Sequence, residues 1–161
     1  MRAAEGGIPG LPASGQAVSP PAAIFYGNTL SNSYVTAAFE FPPFLVDTPN
    51  SGTATSPALA LPDVQEHELS FQCWIDIEAE PTRDLFTISV KTADGTLTRV
   101  WSKEEAPNFG PSWEECVVDL DGFEGQTVHL VFAFDTVDTT NNQGSGIYLD
   151  DFRVIDTCSP H

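Results

Sequence analysis

Apolar and polar side chains alternate most regularly over residues 68–78. Leu69, Phe71, Cys73, Ile75 and Ile77 fall on one side of an extended chain, and Ser70, Gln72, Trp74, Asp76 and Glu78 on the other. A period of two marks a β-strand with one face on a core. The same alternation recurs at Phe86, Ile88 and Val90 against Thr87, Ser89 and Lys91. Ala93-Asp94-Gly95-Thr96 then reads as a hairpin turn of the Asp-Gly kind, returning the chain through residues 97–101. After a polar loop at 102–112, residues 115–120 form another expected strand, and the turn at 121–126 leads into residues 127–135. There both faces are apolar, with Val128, Leu130, Phe132 and Phe134 on one and Val131 and Ala133 on the other, which predicts a central, well-covered strand.

The flanks are less regular. Residues 22–28 suggest a short strand ending at Gly27-Asn28. The aromatic stretch 34–44 ends in Pro42-Pro43, which suits an edge strand or a long loop. Two short runs at 53–57 and 59–61 flank Pro57 and precede a turn at Pro62-Asp63. No segment carries a sustained helical period with caps. Strand following strand at short spacing predicts an all-β sandwich of two antiparallel sheets.

The last expected strand, residues 146–154, holds two adjacent carboxylates. Strict alternation puts Asp150 on one side with Tyr148, Phe152 and Val154, and Asp151 on the other with Leu149 and Arg153. A carboxylate beside Phe152 and Val154 would sit at the end of a core, where it needs a partner, hydrogen bonds or a metal.

Length and composition add bounds to this picture. The chain has 161 residues, 41% of them hydrophobic, which is enough for one domain with a real core. Residues 1–21 are rich in Gly, Ala, Ser and Pro and read as a flexible leader, residues 22–156 as the domain, and 157–161 as a tail. Against 23 acidic residues stand 6 Lys and Arg, for a net charge of −17. That balance repels phosphate backbones and anionic head groups, so nucleic acid and membrane surfaces are excluded as expected partners. No apolar run is long enough to span a bilayer, and the first residues lack a secretory apolar segment. Cys73 and Cys116 fall in expected strands, where they either pair across a sandwich or stay free as small hydrophobes, leaving Cys158 over.

The order of motifs resembles a known family. Phe25-Tyr26-Gly27-Asn28, Asn50-Ser51-Gly52-Thr53-Ala54-Thr55-Ser56-Pro57 and Glu68-Leu69-Ser70-Phe71 come first. Trp113 with Val118-Asp119-Leu120, Gly125-Gln126-Thr127-Val128, and the stretches 132–138 and 146–154 follow. Together they are similar to the MAM-like jelly-roll domain of secreted bacterial proteins, the type associated with immune-inhibitor-A metalloproteases. The resemblance implies a jelly-roll fold, an extracellular setting, and a non-catalytic role in adhesion or substrate recognition. Two departures stand out: Ile147 replaces the usual Trp, and no acidic-aromatic opening strand precedes Ala22.

In related jelly rolls the inward Asp of the last strand is a frequent calcium ligand, which the resemblance places at Asp150. Calcium takes six to eight oxygen ligands, and the donor-rich loop just before this strand offers Asp138 and Asn142. The expected metal set is therefore Asp150, Asp138 and Asn142. The alternative is a buried Asp150 hydrogen-bonded to backbone N–H groups or a tyrosine.

Trp74, with Gln72 and Asp76 on the polar face of the best strand, is the candidate ligand-binding group, since sugar stacking uses an exposed ring among hydrogen-bonding neighbours. The alternative packs Trp74 under a neighbouring strand or loop. Trp101 and Trp113 are expected to anchor the polar loop between them. Asp76, Glu78, Glu80 and Asp84 surround the turn at Pro81, as a cation site, as paired carboxylates for glycoside hydrolysis, or as a solvated acidic rim. No nucleophile elbow, zinc-binding His pair or phosphate loop is present, so an enzyme is not expected. The sequence thus predicts a secreted, non-catalytic module that binds a carbohydrate or a protein surface. The alternative is a purely structural accessory to a catalytic domain of a larger secreted hydrolase.

Overall fold

A computed structural model describes residues 2–5, 18, 22–27, 34, 38–40, 44–46, 48–63, 66–142 and 144–156. Most of the expected leader, most of the aromatic stretch at 34–44, Cys158 and the tail lie outside the described residues.

The alternating segments become strands as expected. In chain order they are β1 (Arg2–Glu5), β2 (Ala22–Tyr26), β3 (Ala38–Glu40), β4 (Phe44–Val46), β5 (Ser51–Thr55), β6 (Leu59–Ala60) and β7 (His67–Asp76). Then come β8 (Leu85–Lys91), β9 (Leu97–Ser102), β10 (Gly110–Asp119), β11 (Thr127–Asp135) and β12 (Gly146–Asp156), with one 3-10 turn at Lys103–Glu105. One sheet has the order β1-β2-β12-β7-β10, and the other β5-β11-β8-β9 with β6 also on β11; β3 and β4 pair separately. Taking β2, β5 and β7 to β12 as strands one to eight, the sheets read 1-8-3-6 and 2-7-4-5. Every pairing is antiparallel. That order is a jelly roll, in which successive strands cross between two face-to-face sheets. β11 lies between β5 and β8, as its two apolar faces require. Arg2–Glu5, inside the expected leader, is a strand at the edge beside β2.

The core fills the space between the sheets. β7 contributes Leu69, Phe71, Cys73 and Ile75, and β8 contributes Phe86, Ile88 and Val90, all at most 1% exposed. β11 adds Val128, Leu130, Phe132 and Phe134. Trp101 is buried against Phe71 and Phe86, so it belongs to the core. Cys73 and Cys116 form a disulfide with a Cα–Cα distance of 6.0 Å. It joins neighbouring strands of one sheet, β7 and β10, and does not cross the sandwich.

The last strand departs from strict alternation. A β-bulge interrupts its pairing with β7 between Asp150 and Arg153, and Asp151 sits in the left-handed region at φ 53°. An extra residue shifts parity along the strand. Ile147 and Leu149 enter the core before the bulge, and Phe152 and Val154 pack on it after the bulge, where Phe152 stacks on Phe71 at 5.4 Å. Asp150 therefore does not share a face with Phe152 and Val154. It lies beside Tyr148 on the outer face of the sheet, opposite Gln72.

Candidate functional site

That outer face collects most of the residues singled out from sequence. Across β12 and β7, Tyr148 is opposite Trp74 and Asp150 is opposite Gln72; across β10, Glu115 is also opposite Gln72. A second apolar cluster forms here from Ala23, Phe25, Trp74 and Tyr148, with Trp113 packed against it. Phe25 stacks on Tyr148 at 4.4 Å, and Trp74 meets Trp113 and Tyr148 edge-on at 6.0 and 6.4 Å.

Trp74 is 3% exposed, so the open stacking ring expected at this position is absent. It packs among its aromatic neighbours because an indole recovers more by burying its ring than by leaving it in water. Its Nε1–H donates to Ser145 Oγ at 3.1 Å, and Ser145 donates from both Oγ and N–H to Asp76 Oδ2 at 2.7 and 2.8 Å. Asp76 thus fixes the entry of β12 rather than facing solvent. Ser70 Oγ donates to Glu115 Oε1 at 2.8 Å. Gln72 is half-buried and Glu115 is exposed. Asp150 is 5% exposed, and its Oδ1 accepts the Asp151 N–H at 2.7 Å, which caps the bulge.

Two ring groups of this face, Tyr148 Oη and Trp113 Nε1, are buried with no hydrogen-bond partner among the described residues. Leaving such a group unpaired costs about 1–3 kcal/mol. Burial pushes the Tyr148 hydroxyl up to about 12, with the Asp76 charge adding to the rise. Sequence reasoning missed Tyr148, Trp113 and Ser145 as members of this face. The alternation of 146–150 alone places Tyr148 with Asp150, but the facing register of β7 and β10 is not written in either strand.

Asp138 and Asn142 lie elsewhere. Asp138 Oδ2 meets Arg83 Nε at 3.1 Å, its Oδ1 accepts the Thr140 N–H at 2.7 Å, and Asn142 Nδ2 donates to the Asp138 carbonyl at 2.8 Å. This loop joins β12 at Gly146. Asp150 is four residues further along, about 13 Å at the rise of a strand. Asp138 and Asn142 are thus tied to one another and to Arg83 and Thr140, while Asp150 caps the bulge of β12. Among the described residues, no group of three or more His, Cys, Asp and Glu is arranged to hold a metal ion.

The acidic turn at Pro81 does surround a cation, and the cation is a lysine. Lys103, 2% exposed, donates from Nζ to the carbonyls of Glu78 at 2.8 Å and Glu80 at 2.7 Å, and to that of Arg83. Asp84, fully buried, accepts at Oδ2 from the Tyr34 hydroxyl at 2.6 Å and the Glu78 N–H at 2.8 Å. Burial raises the Asp84 pKa, and Lys103 is among the groups that offset the rise. Burial likewise lowers the Lys103 pKa against the pull of Asp84 and Glu78. Glu78 is held near Arg83 at 3.7 Å and by Asn141 Nδ2 at 3.2 Å. The rim is thus a structural corner. A lone lysine just after a strand gave no sign of it in sequence.

No protein-family model and no curated protein matches the chain. One similar solved structure is the CBM22-1 xylan-binding domain of Paenibacillus barcinonensis Xyn10C, with 15% sequence identity, a TM-score of 0.34, and coverage of 77% of this chain and 82% of that one. A likeness at that level carries no conclusion about topology or ligand; the jelly roll rests on this chain's own strand order.

Proposed function

We propose that this chain is a non-catalytic binding module that takes a neutral carbohydrate on the outer face of the β2-β12-β7-β10 sheet. The observation that carries the reading is the aromatic cluster of Trp74, Trp113 and Tyr148 flanked by the polar side chains of Gln72, Asp150 and Glu115 on one sheet face. Sugars present hydroxyls that pair with such donors and acceptors, and C–H faces that pack on aromatic rings. Half-buried Gln72 and Trp113, with exposed Glu115, are the approach from solvent. A net charge of −17 favours an uncharged glycan over an anionic one.

A non-enzyme reading is supported by what the carboxylates do. Asp76 is bound to Ser145, Asp84 lies under Tyr34, and Glu78 is tied to Arg83 and Asn141, so each serves the fold. The Cys73–Cys116 disulfide supports an oxidising, extracellular setting.

The test is a glycan array followed by calorimetry on the best ligand, using wild type, Gln72→Ala and Glu115→Ala. Carbohydrate binding predicts a loss of about tenfold or more for each variant, the worth of one buried hydrogen bond. The near-complete burial of Trp74 and Tyr148 favours a second reading, in which this face packs structurally against an accessory partner. A blank array would sink the carbohydrate reading in favour of the second.

A further inference from the structure

The sheet that carries the outer aromatic cluster ends in a bare edge. Its order β1-β2-β12-β7-β10 gives β10 one neighbour, β7, and among the described residues no strand pairs with its other side. With ten residues it is the longest edge strand, beside four in β1, five in β5 and six in β9. Its first part is blunted, because Pro111 lacks an N–H and the register with β7 shifts between Gly110 and Glu114. From Glu114 to Asp119 the ladder is regular, in step with Cys73 to Glu68. The Cys73–Cys116 disulfide clamps this half of the strand to β7. Alternate N–H and C=O groups of an antiparallel strand point away from its neighbour, so this half offers about three pairs of them to a further strand. It is ordered before any partner arrives, which removes part of the cost of binding.

The side chains along this half decide what such a strand carries. Cys116 and Val118 point into the core, each 1% exposed, while Glu115, Val117 and Asp119 are exposed on the outer face. Val117 is 46% exposed, an aliphatic anchor between two carboxylates. Glu115 accepts the Ser70 hydroxyl at Oε1 and Asp119 accepts the Asp121 N–H at Oδ1, so the second oxygen of each is left for a donor from outside. A second copy pairing antiparallel about Val117 would set Glu115 directly opposite Asp119 twice, and like charges facing each other across strands are destabilising. The net charge of −17 adds to that repulsion. A strand with basic residues on either side of an aliphatic one meets attraction at both ends and apolar contact in the middle. We propose that the 114–119 half of β10 is a docking edge for an extended basic segment of a partner protein. The segment adds as a further antiparallel strand, with an aliphatic side chain beside Val117 and Lys or Arg beside Glu115 and Asp119. In such an addition main-chain hydrogen bonds supply the affinity and alternate side chains the selection. This reading does not depend on the glycan reading, and Val117 and Asp119 lie outside the polar row of that face.

The test is titration calorimetry of the whole chain with a synthetic seven-residue peptide that has lysine at its second and sixth positions, valine at its fourth and threonine elsewhere. A matched peptide has glutamate in place of both lysines. Opposite charges instead of like ones at two cross-strand positions predict affinity for the lysine peptide higher by about tenfold or more. Two further versions of the lysine peptide are N-methylated on the even or on the odd amides. These amides face opposite sides of a strand, so one version should lose binding and the other keep it. Asp119→Lys should weaken the lysine peptide by about fivefold and strengthen the glutamate peptide, with the melting temperature as the check that the fold is kept. Val117→Lys, at an exposed position on the same edge, serves as the second variant and should weaken the lysine peptide likewise. Sedimentation velocity of the wild type should show a monomer. Equal affinity for the lysine and glutamate peptides, no binding at millimolar peptide, or binding kept by both N-methylated versions overturns the proposal. Self-association of the wild type that Val117→Lys abolishes would assign the edge to a second copy and equally overturn it.

Discussion

Replacing Lys103 with Met keeps most of the aliphatic stem and removes the ammonium. Three backbone carbonyls, those of Glu78, Glu80 and Arg83, then lose their shared donor. Hydrogen bonds to a charged group contribute about 1.5–3 kcal/mol each, so the gross loss is about 5–9 kcal/mol. Two effects reduce it. Glu80 is exposed and Arg83 half-buried, so water reaches part of the vacated space. The lysine's own desolvation penalty, which lowers its pKa, also disappears. Asp84 works in the other direction, because it stays fully buried with one neighbouring cation fewer. Removing one partner from a buried charged group costs about 3–5 kcal/mol, and we expect Lys103→Met to fall in that range. Urea unfolding at neutral pH measures it.

Acidity gives the same variant a second readout. The folded pKa of Asp84 lies above its ordinary value, so the stability linked to its protonation is present in full below about pH 4 and is lost as pH rises through the folded value. Lys103 restrains that upward shift, so without it the shift grows and the loss at neutral pH deepens. The stability gap between wild type and Lys103→Met should therefore narrow as pH falls from neutral towards about 4. A loss below about 1 kcal/mol at neutral pH, or a gap that widens on acidification, would refute the picture of a lysine-filled cation site.

Three further changes have definite expected outcomes. Cys73→Ala with Cys116→Ala opens a link between residues 43 apart, and chain entropy puts the loss near 4 kcal/mol, read by urea unfolding beside the reduced wild type. Gly144→Ala would drive a Cβ into the Asp76 carbonyl oxygen and to 3.2 Å from the Tyr34 ring; backbone cannot yield as a side chain does, so a loss of about 1–3 kcal/mol should appear as a lower melting temperature. Tyr148→Phe removes a buried hydroxyl that has no partner, so thermal melting should show no loss and up to about 1 kcal/mol of gain; a clear destabilisation would mean that the hydroxyl is paired.

The strand pattern was legible because period-two alternation reports burial directly, as at residues 69–75 and 86–90. The two-faced apolar run of β11 likewise announced its central place. What could not be read were features created by contact between distant segments. The Cys73–Cys116 pairing depends on β7 and β10 being neighbours in one sheet, which neither strand encodes alone. Trp74 was placed on the correct face, yet its exposure depends on Tyr148, Trp113 and Ser145, which arrive from β12, β10 and the loop before β12. Lys103 carries no local pattern at all, since its partners are carbonyls twenty and more residues away.

Asp150 shows how one backbone irregularity overrides a pattern that is otherwise sound. With ideal alternation, Tyr148 and Asp150 would share the core side with Phe152 and Val154, or all four would face outward. Either choice is costly: the first buries a carboxylate against hydrocarbon, and the second exposes two apolar side chains worth about 1.5–3 kcal/mol each. The bulge avoids both by accepting one left-handed residue, Asp151, whose N–H is taken up by Asp150 Oδ1. A single extra residue thus divides β12 between two surfaces. Its first half puts Tyr148 and Asp150 on the polar outer face, and its second half turns Phe152 and Val154 onto the core. The paired aspartates are therefore adjacent for a structural reason: Asp150 caps the backbone that Asp151 bends, and Asp151 in turn pairs with Arg153.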